Sequence, residues 1–118
     1  MEPVRACVMV VEDDADCREV LAQILEEEGY QVLGAANGEE ALLSLHRGAR
    51  PCLILLDLRM PIMDGLTFRA AQRGDPALAD IPVVIMTALG DPAVANEHVI
   101  EKPIDLETLL STLQRYCG

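Results

Sequence analysis

Aromatic side chains are almost missing from this chain. Of its 118 residues one is Phe, two are Tyr and none is Trp. The hydrophobic fraction is nevertheless 51%, so any core is aliphatic, packed from Val, Leu, Ile, Ala and Met. Bases are scarce as well: 9 stand against 20 acids, for a formal net charge of −11. Nucleic acid and anionic lipid both need basic surface, so the charge argues against either as a direct partner. For most of the acids, solubility is a sufficient reason. No apolar run approaches the ~20 residues that span a bilayer. The opening MEPVRAC lacks the apolar stretch of a secretion signal. The expectation is a cytoplasmic protein with no membrane partner. Close cysteine pairs are absent too. Cys7, Cys17, Cys52 and Cys117 form no CxxC, which argues against zinc or redox chemistry. Three of them border apolar segments, the setting of buried, reduced thiols.

A chain of this length holds one core and is too short for two. The expectation is one domain over residues 1–118 with no effector domain. Strand and helix patterns alternate along it. ACVMVV, residues 6–11, is an apolar run. In the next segment, EDDADCREVLAQILEEEG, Cys17, Val20, Leu21, Ile24 and Leu25 fall on one helical face and Gly29 is a stop. Asp13 and Asp14 suit the start of that helix. YQVLGA is a short second strand, and Asn37 caps a helix that ends at Gly48. CLILLD is a third strand, GLTFRAAQR a third helix, IPVVIMT a fourth strand and HVIE a weak fifth. Asp105 caps a last helix, whose Leu106, Leu109, Leu110 and Leu113 repeat with helical spacing. The alternation implies an α/β fold, a parallel sheet with helices on both faces.

In such sheets sites form at the carboxyl ends of the strands. Those ends carry Glu12 and Asp13, then Asp57, then Thr87, and the fifth strand leads into Lys102, the sole lysine. Three gathered carboxylates raise each other's pKa or demand a cation. Magnesium fits, since it takes oxygen ligands and commonly binds one or two carboxylates with a substrate phosphate. Lys102 is a point charge suited to a phosphoryl oxygen, and the Thr87 hydroxyl could donate to the same oxygens. Each residue has a plainer explanation. Asp13 and Asp14 could only cap a helix, Thr87 could only cap the segment after it, and Asp64-Gly65 could be only a turn. Asp57 resists that treatment, because an apolar strand needs no acid at its end. Four suitable strand ends together favour a functional reading.

The segments VVEDD, LLDLRMPIMDG, MTA and EKP, in this order, resemble the receiver domain of two-component response regulators, over nearly the whole chain. The resemblance implies a flavodoxin-like, doubly wound, five-stranded parallel sheet in the order 2-1-3-4-5. It implies that Asp57 is the phosphoacceptor, attacking a phosphohistidine of a sensor histidine kinase or phosphotransfer protein. Asp13, Asp57 and the backbone carbonyl of Arg59 would bind magnesium (or manganese in its place), with Glu12 acting through water. Thr87 would be the switch hydroxyl and Lys102 the phosphate-pairing lysine, joined to Pro103 by a cis peptide bond. The chain would be a phosphoacceptor switch rather than an enzyme with an external substrate, and its downstream protein partner is not named by the sequence. A phosphatase of the haloacid dehalogenase type would want a second acid two residues after Asp57, where this chain has Arg59.

The pattern departs from the family between Thr87 and Lys102. The crossover ALGDPAVANEHVIE is close to the minimum of about 10–12 residues for a parallel return. The helix that the family places there is therefore expected to be missing, or reduced to a turn across DPAVAN. Val99 stands where an aromatic switch residue is common. Both departures motivate an alternative, a receiver-fold binding module that acts independently of phosphorylation.

Overall fold

A computed structural model describes residues 6–88 and 98–118. The elements in chain order are β1 (Cys7–Val11), α1 (Ala15–Glu27), β2 (Gln31–Ala35), α2 (Gly38–His46), β3 (Leu53–Asp57), α3 (Gly65–Arg73), β4 (Val83–Ala88), β5 (Val99–Lys102) and α4 (Leu106–Cys117). The five strands form one sheet in the order β2-β1-β3-β4-β5, and every pairing is parallel. This is the doubly wound, flavodoxin-like α/β fold implied by the sequence. The expectation about the helix across residues 91–96 lies outside the described residues.

The three inner strands are apolar and alternate between two faces, as a side-chain period of two requires. Met9, Val11, Ile54, Leu56 and Ile85 join Leu45 of α2 and Phe68 of α3 in one buried cluster. Val8, Val10, Leu53, Leu55 and Met86 join Leu25 of α1 and Leu113 of α4 in the other. A sheet clothed on both sides explains why the central strands read as continuous apolar runs.

Each helix starts at a side-chain cap. Asp14 Oδ1 accepts from the amides of Asp16 and Cys17, at 2.9 and 3.1 Å. Asn37 Oδ1 accepts from Glu40 N at 3.0 Å, Asp64 Oδ1 from Thr67 N at 2.8 Å, and Asp105 Oδ2 from Thr108 N at 3.0 Å. These bonds satisfy amides that the helix itself leaves open. After α1 and α2 the chain turns through Gly29 and Gly48, at φ 94° and 107°, which is left-handed backbone that glycine adopts without penalty.

Three expectations need correction. Cys52 and Cys117 are joined in a disulfide, their Cα atoms 5.4 Å apart. Of the free thiols Cys7 is half-buried and Cys17 is exposed, so the four are not all buried and reduced. The fold brings the start of β3 under the end of α4, a proximity that spacing along the chain does not reveal. The inward face of α1 is also narrower than its pattern. Leu21 and Leu25 are buried, while Val20 is 55% exposed. On α4, Leu109 and Leu113 are buried but Leu106 is 52% exposed.

Candidate functional site

The carboxyl ends of β1, β3 and β5 converge. β1 runs directly into Glu12 and Asp13, and Asp57 is the last residue of β3. Carboxylate oxygens of Glu12, Asp13 and Asp57 all lie within 4.8 Å of one another. From β5, Lys102 Nζ reaches Asp57 Oδ1 at 3.1 Å and Glu12 Oε2 at 3.6 Å. Glu12 and Asp57 are buried, at 4% and 7% exposure, whereas Asp13 is exposed. Thr87 is buried too. It lies one residue beyond Met86, the register partner of Asp57 on β4. The peptide bond from Lys102 to Pro103 is cis.

This crowding shifts the ionisation of Glu12. Burial first, then the hydrogen bond and negative charge of Asp57, push its pKa up to about 7. A protonated Glu12 shares its proton with Asp57. An ionised one has, among the described residues, no hydrogen-bond partner for its buried Oε2, and the Lys102 ammonium stands 3.6 Å from it. Burial alone would lower the pKa of Lys102, but the hydrogen bond and charge of Asp57, with Glu12 behind it, hold it above its usual value. Lys102 is thus a fixed cation. The site also has a carboxylate oxygen without a donor and three acids within reach of one centre, a donor set that fits a hard divalent cation.

Several groups that hold this arrangement were not singled out in the sequence. Arg18 Nη1 donates to the Glu12 carbonyl at 2.6 Å and fixes the turn after β1. A contact six residues apart across a loop leaves no pattern to read. Gly65 has a clearer signature. A Cβ there would lie 2.5 Å from the Asp57 carbonyl oxygen and 2.9 Å from Leu58 Cα, so α3 starts hard against the end of β3. Its amide also donates to the Leu58 carbonyl at 2.9 Å. Asp64-Gly65 is therefore a cap and a required close approach, more than a turn. Between them and Asp57 the chain folds tightly, with Met63 N donating to the Pro61 carbonyl at 2.7 Å. Ile62, at the centre of that turn, has φ 68° and is 78% exposed. Arg59 is exposed on the same loop. On the other side of Lys102 a cavity of about 370 Å³ opens, lined mainly by apolar groups that include Val20, Leu21, Pro103 and Ile104. This cavity is why Val20 and Cys17 are not packed.

Comparison with known proteins points to one family. The family model described as the response regulator receiver domain matches residues 8–114. The polar-differentiation response regulator DivK of Brucella anthropi is 35% identical over 118 residues, covering 94% of this chain and 95% of its own length. The probable transcriptional regulator ycf27 of Pyropia yezoensis is 40% identical over 91 residues, which is 77% of this chain. The match spans only 36% of that longer relative. Among solved structures, the receiver domain of the sensor histidine kinase PA1611 from Pseudomonas aeruginosa PAO1 superposes with a TM-score of 0.86 at 26% identity. It covers 96% of this chain and 98% of its own, and it holds a magnesium ion in its active-site cleft.

Proposed function

The chain belongs to the response regulator receiver domain family, and on that premise we propose that Asp57 accepts a phosphoryl group from a phosphohistidine. The donor would be a sensor histidine kinase or a phosphotransfer protein. The phosphorylated chain then serves as a signalling switch or phosphorelay element. The contact of 3.1 Å between Lys102 Nζ and Asp57 Oδ1 carries this reading. An ammonium is already in place where phosphoryl oxygens would arrive.

In the transfer, a carboxylate oxygen of Asp57 attacks phosphorus. The P–N bond to imidazole breaks, a P–O bond forms, and the departing imidazole takes up a proton. Lys102 offsets the charge on the phosphoryl oxygens, and the Thr87 hydroxyl donates to them. Asp13, Asp57 and the Arg59 carbonyl would hold magnesium or manganese directly, and Glu12 through water. The ion neutralises phosphoryl charge when bound. By this account the chain catalyses only its own phosphorylation and dephosphorylation. Its acidity keeps it from nucleic acid and anionic membrane, and the reading places it in the cytoplasm. DivK, a response regulator of nearly the same length, supports a receiver that works alone. An attached effector, as the longer ycf27 relative would suggest, is the competing expectation.

The test is incubation with acetyl phosphate and magnesium, followed by intact-mass measurement. One added phosphoryl group in the parent chain and none in Asp57→Asn is the expected result. No gain, or equal gain in the variant, refutes the proposal. A binding module indifferent to phosphorylation remains the second reading. It is favoured by Val99, a half-buried residue packed against the core where the family often has an aromatic switch. Partner affinity unchanged by beryllofluoride, a phosphoryl mimic, would support it.

A further inference from the structure

The last turn of α4 has little to hold it. Leu113 is the final fully buried residue of that helix, and Gln114, Arg115 and Gly118 are exposed. Terminal turns of this kind fray. Tyr116 and Cys117 pack, half-buried, against the core cluster of Leu109 and Leu113, and two specific bonds add to that packing. The Tyr116 hydroxyl lies 2.6 Å from His98 Nδ1, immediately before β5. Cys117 is bonded to Cys52, immediately before β3. The covalent ring so closed joins residues 65 apart in sequence. It contains Asp57, Thr87 and Lys102 but neither Glu12 nor Asp13.

We infer that Cys52 and Cys117 form a reversible redox latch on the final turn of α4, opened by a dithiol reductant and closed by a disulfide oxidant. In opening, one thiolate of the reductant attacks a sulfur of the pair, the S–S bond breaks and a mixed disulfide forms. The second thiolate of the reductant resolves it. Two electrons and two protons pass to Cys52 and Cys117, and the reductant leaves as its own disulfide. Closing runs the other way, with the oxidant's disulfide reduced to two thiols. Both latch residues are half-buried, so a small dithiol reaches them without unfolding the core.

The remaining thiols stay out of this exchange. Cys7 is adjacent, its carbonyl accepting from Cys52 N at 2.8 Å. Burial pushes its pKa up, which keeps it protonated and a poor nucleophile. Cys17 stands at the opposite end of the sheet, lining the same cavity as Glu12 and Lys102. With the latch open, the turn keeps its apolar packing and the Tyr116–His98 contact but loses its covalent tie, and β5, which carries Lys102, begins at the residue after His98. The redox state of the pair therefore bears on the α4–β5 face whether or not Asp57 accepts a phosphoryl group.

The full chain, treated with oxidised glutathione or with dithiothreitol under native conditions, can be alkylated and mapped by mass spectrometry. A Cys52–Cys117 cross-linked peptide is expected after oxidation, and both residues alkylated after reduction. Amide exchange across residues 114–118 should be at least about tenfold faster in the reduced protein, unchanged across 53–57, and slow again after reoxidation. The double variant Cys52→Ala, Cys117→Ala should exchange fast in both conditions. A different pairing, a cross-link that dithiothreitol cannot open in the folded protein, or equal exchange in the two states would overturn the latch.

Discussion

Lys102 Nζ stands 3.1 Å from Asp57 Oδ1 across 45 residues of sequence, and the same ammonium lies 3.6 Å from Glu12 Oε2. One cation thus faces two buried carboxylates. Removing it leaves like charges opposed with no counter-ion, and leaves an arriving phosphoryl group without its nearest protein cation. The Lys102→Met variant should fold but accept phosphoryl groups from acetyl phosphate about 10²-fold more slowly, in line with loss of one preorganised charge partner. Lys102→Arg should not restore the rate, because a planar fork does not replace a compact ammonium. Time courses of intact mass for the three proteins decide this, and an unchanged rate in Lys102→Met would exclude a role for the contact.

Gly65 supplies a second prediction. An added methyl group would sit 2.5 Å from the Asp57 carbonyl oxygen, and the nearest atoms are all backbone of residues 57 and 58, so no flexible side chain can move aside. Gly65→Ala should therefore cost about 1–3 kcal/mol, the usual penalty of overpacking, and should slow phosphorylation by displacing Asp57. Urea denaturation of the variant measures the first effect. A neutral result would mean that the start of α3 can slide along the end of β3.

Ile62 carries the opposite expectation. A β-branched residue at φ 68° is held in a region that costs about 1–3 kcal/mol, and at 78% exposure its side chain recovers little by packing. Ile62→Gly removes the strain but adds about 0.5–1 kcal/mol of unfolded-chain freedom. The variant should be more stable by up to about 1–2 kcal/mol. Thermal unfolding monitored by circular dichroism reads the change, and a lower midpoint would show that the exposed isoleucine makes a contact worth more than its strain.

The fold was legible because its signals are local. Capping aspartates, alternating apolar faces and glycine stops each act within a turn or two, so the elements emerged within one or two residues of their observed ends. Asp57 was legible for a related reason, as a charge closing an apolar strand. Contacts made across the fold were not. The Cys52–Cys117 bond, the Arg18 hold on the Glu12 carbonyl and the collision awaiting a side chain at Gly65 all depend on which segments the sheet order brings together. Val20 and Leu106 misled for the reverse reason. Their helical spacing is correct, but Val20 borders the cavity beside Lys102 and Leu106 is exposed in the first turn of α4, and periodicity carries no information about where a neighbour ends.

Glu12 provides a prediction with a definite sign. Its pKa is about 7 in the folded chain against 4.5 for an unperturbed glutamate. Between those values the folded state holds a proton that the unfolded state has released. Stability in the absence of divalent ions should therefore fall as pH rises from about 4.5 to about 7, and level off above that range. A divalent ion reverses the sense, since it binds the ionised carboxylates and competes with the proton. Its affinity should weaken toward lower pH, by up to about tenfold per unit below pH 7. Denaturation midpoints measured from about pH 5 to about pH 8, with and without magnesium, test both slopes. In Glu12→Gln the metal-free slope should flatten. A parent chain whose metal-free stability rises across this range, or whose magnesium affinity ignores pH, would show that Glu12 is ionised throughout.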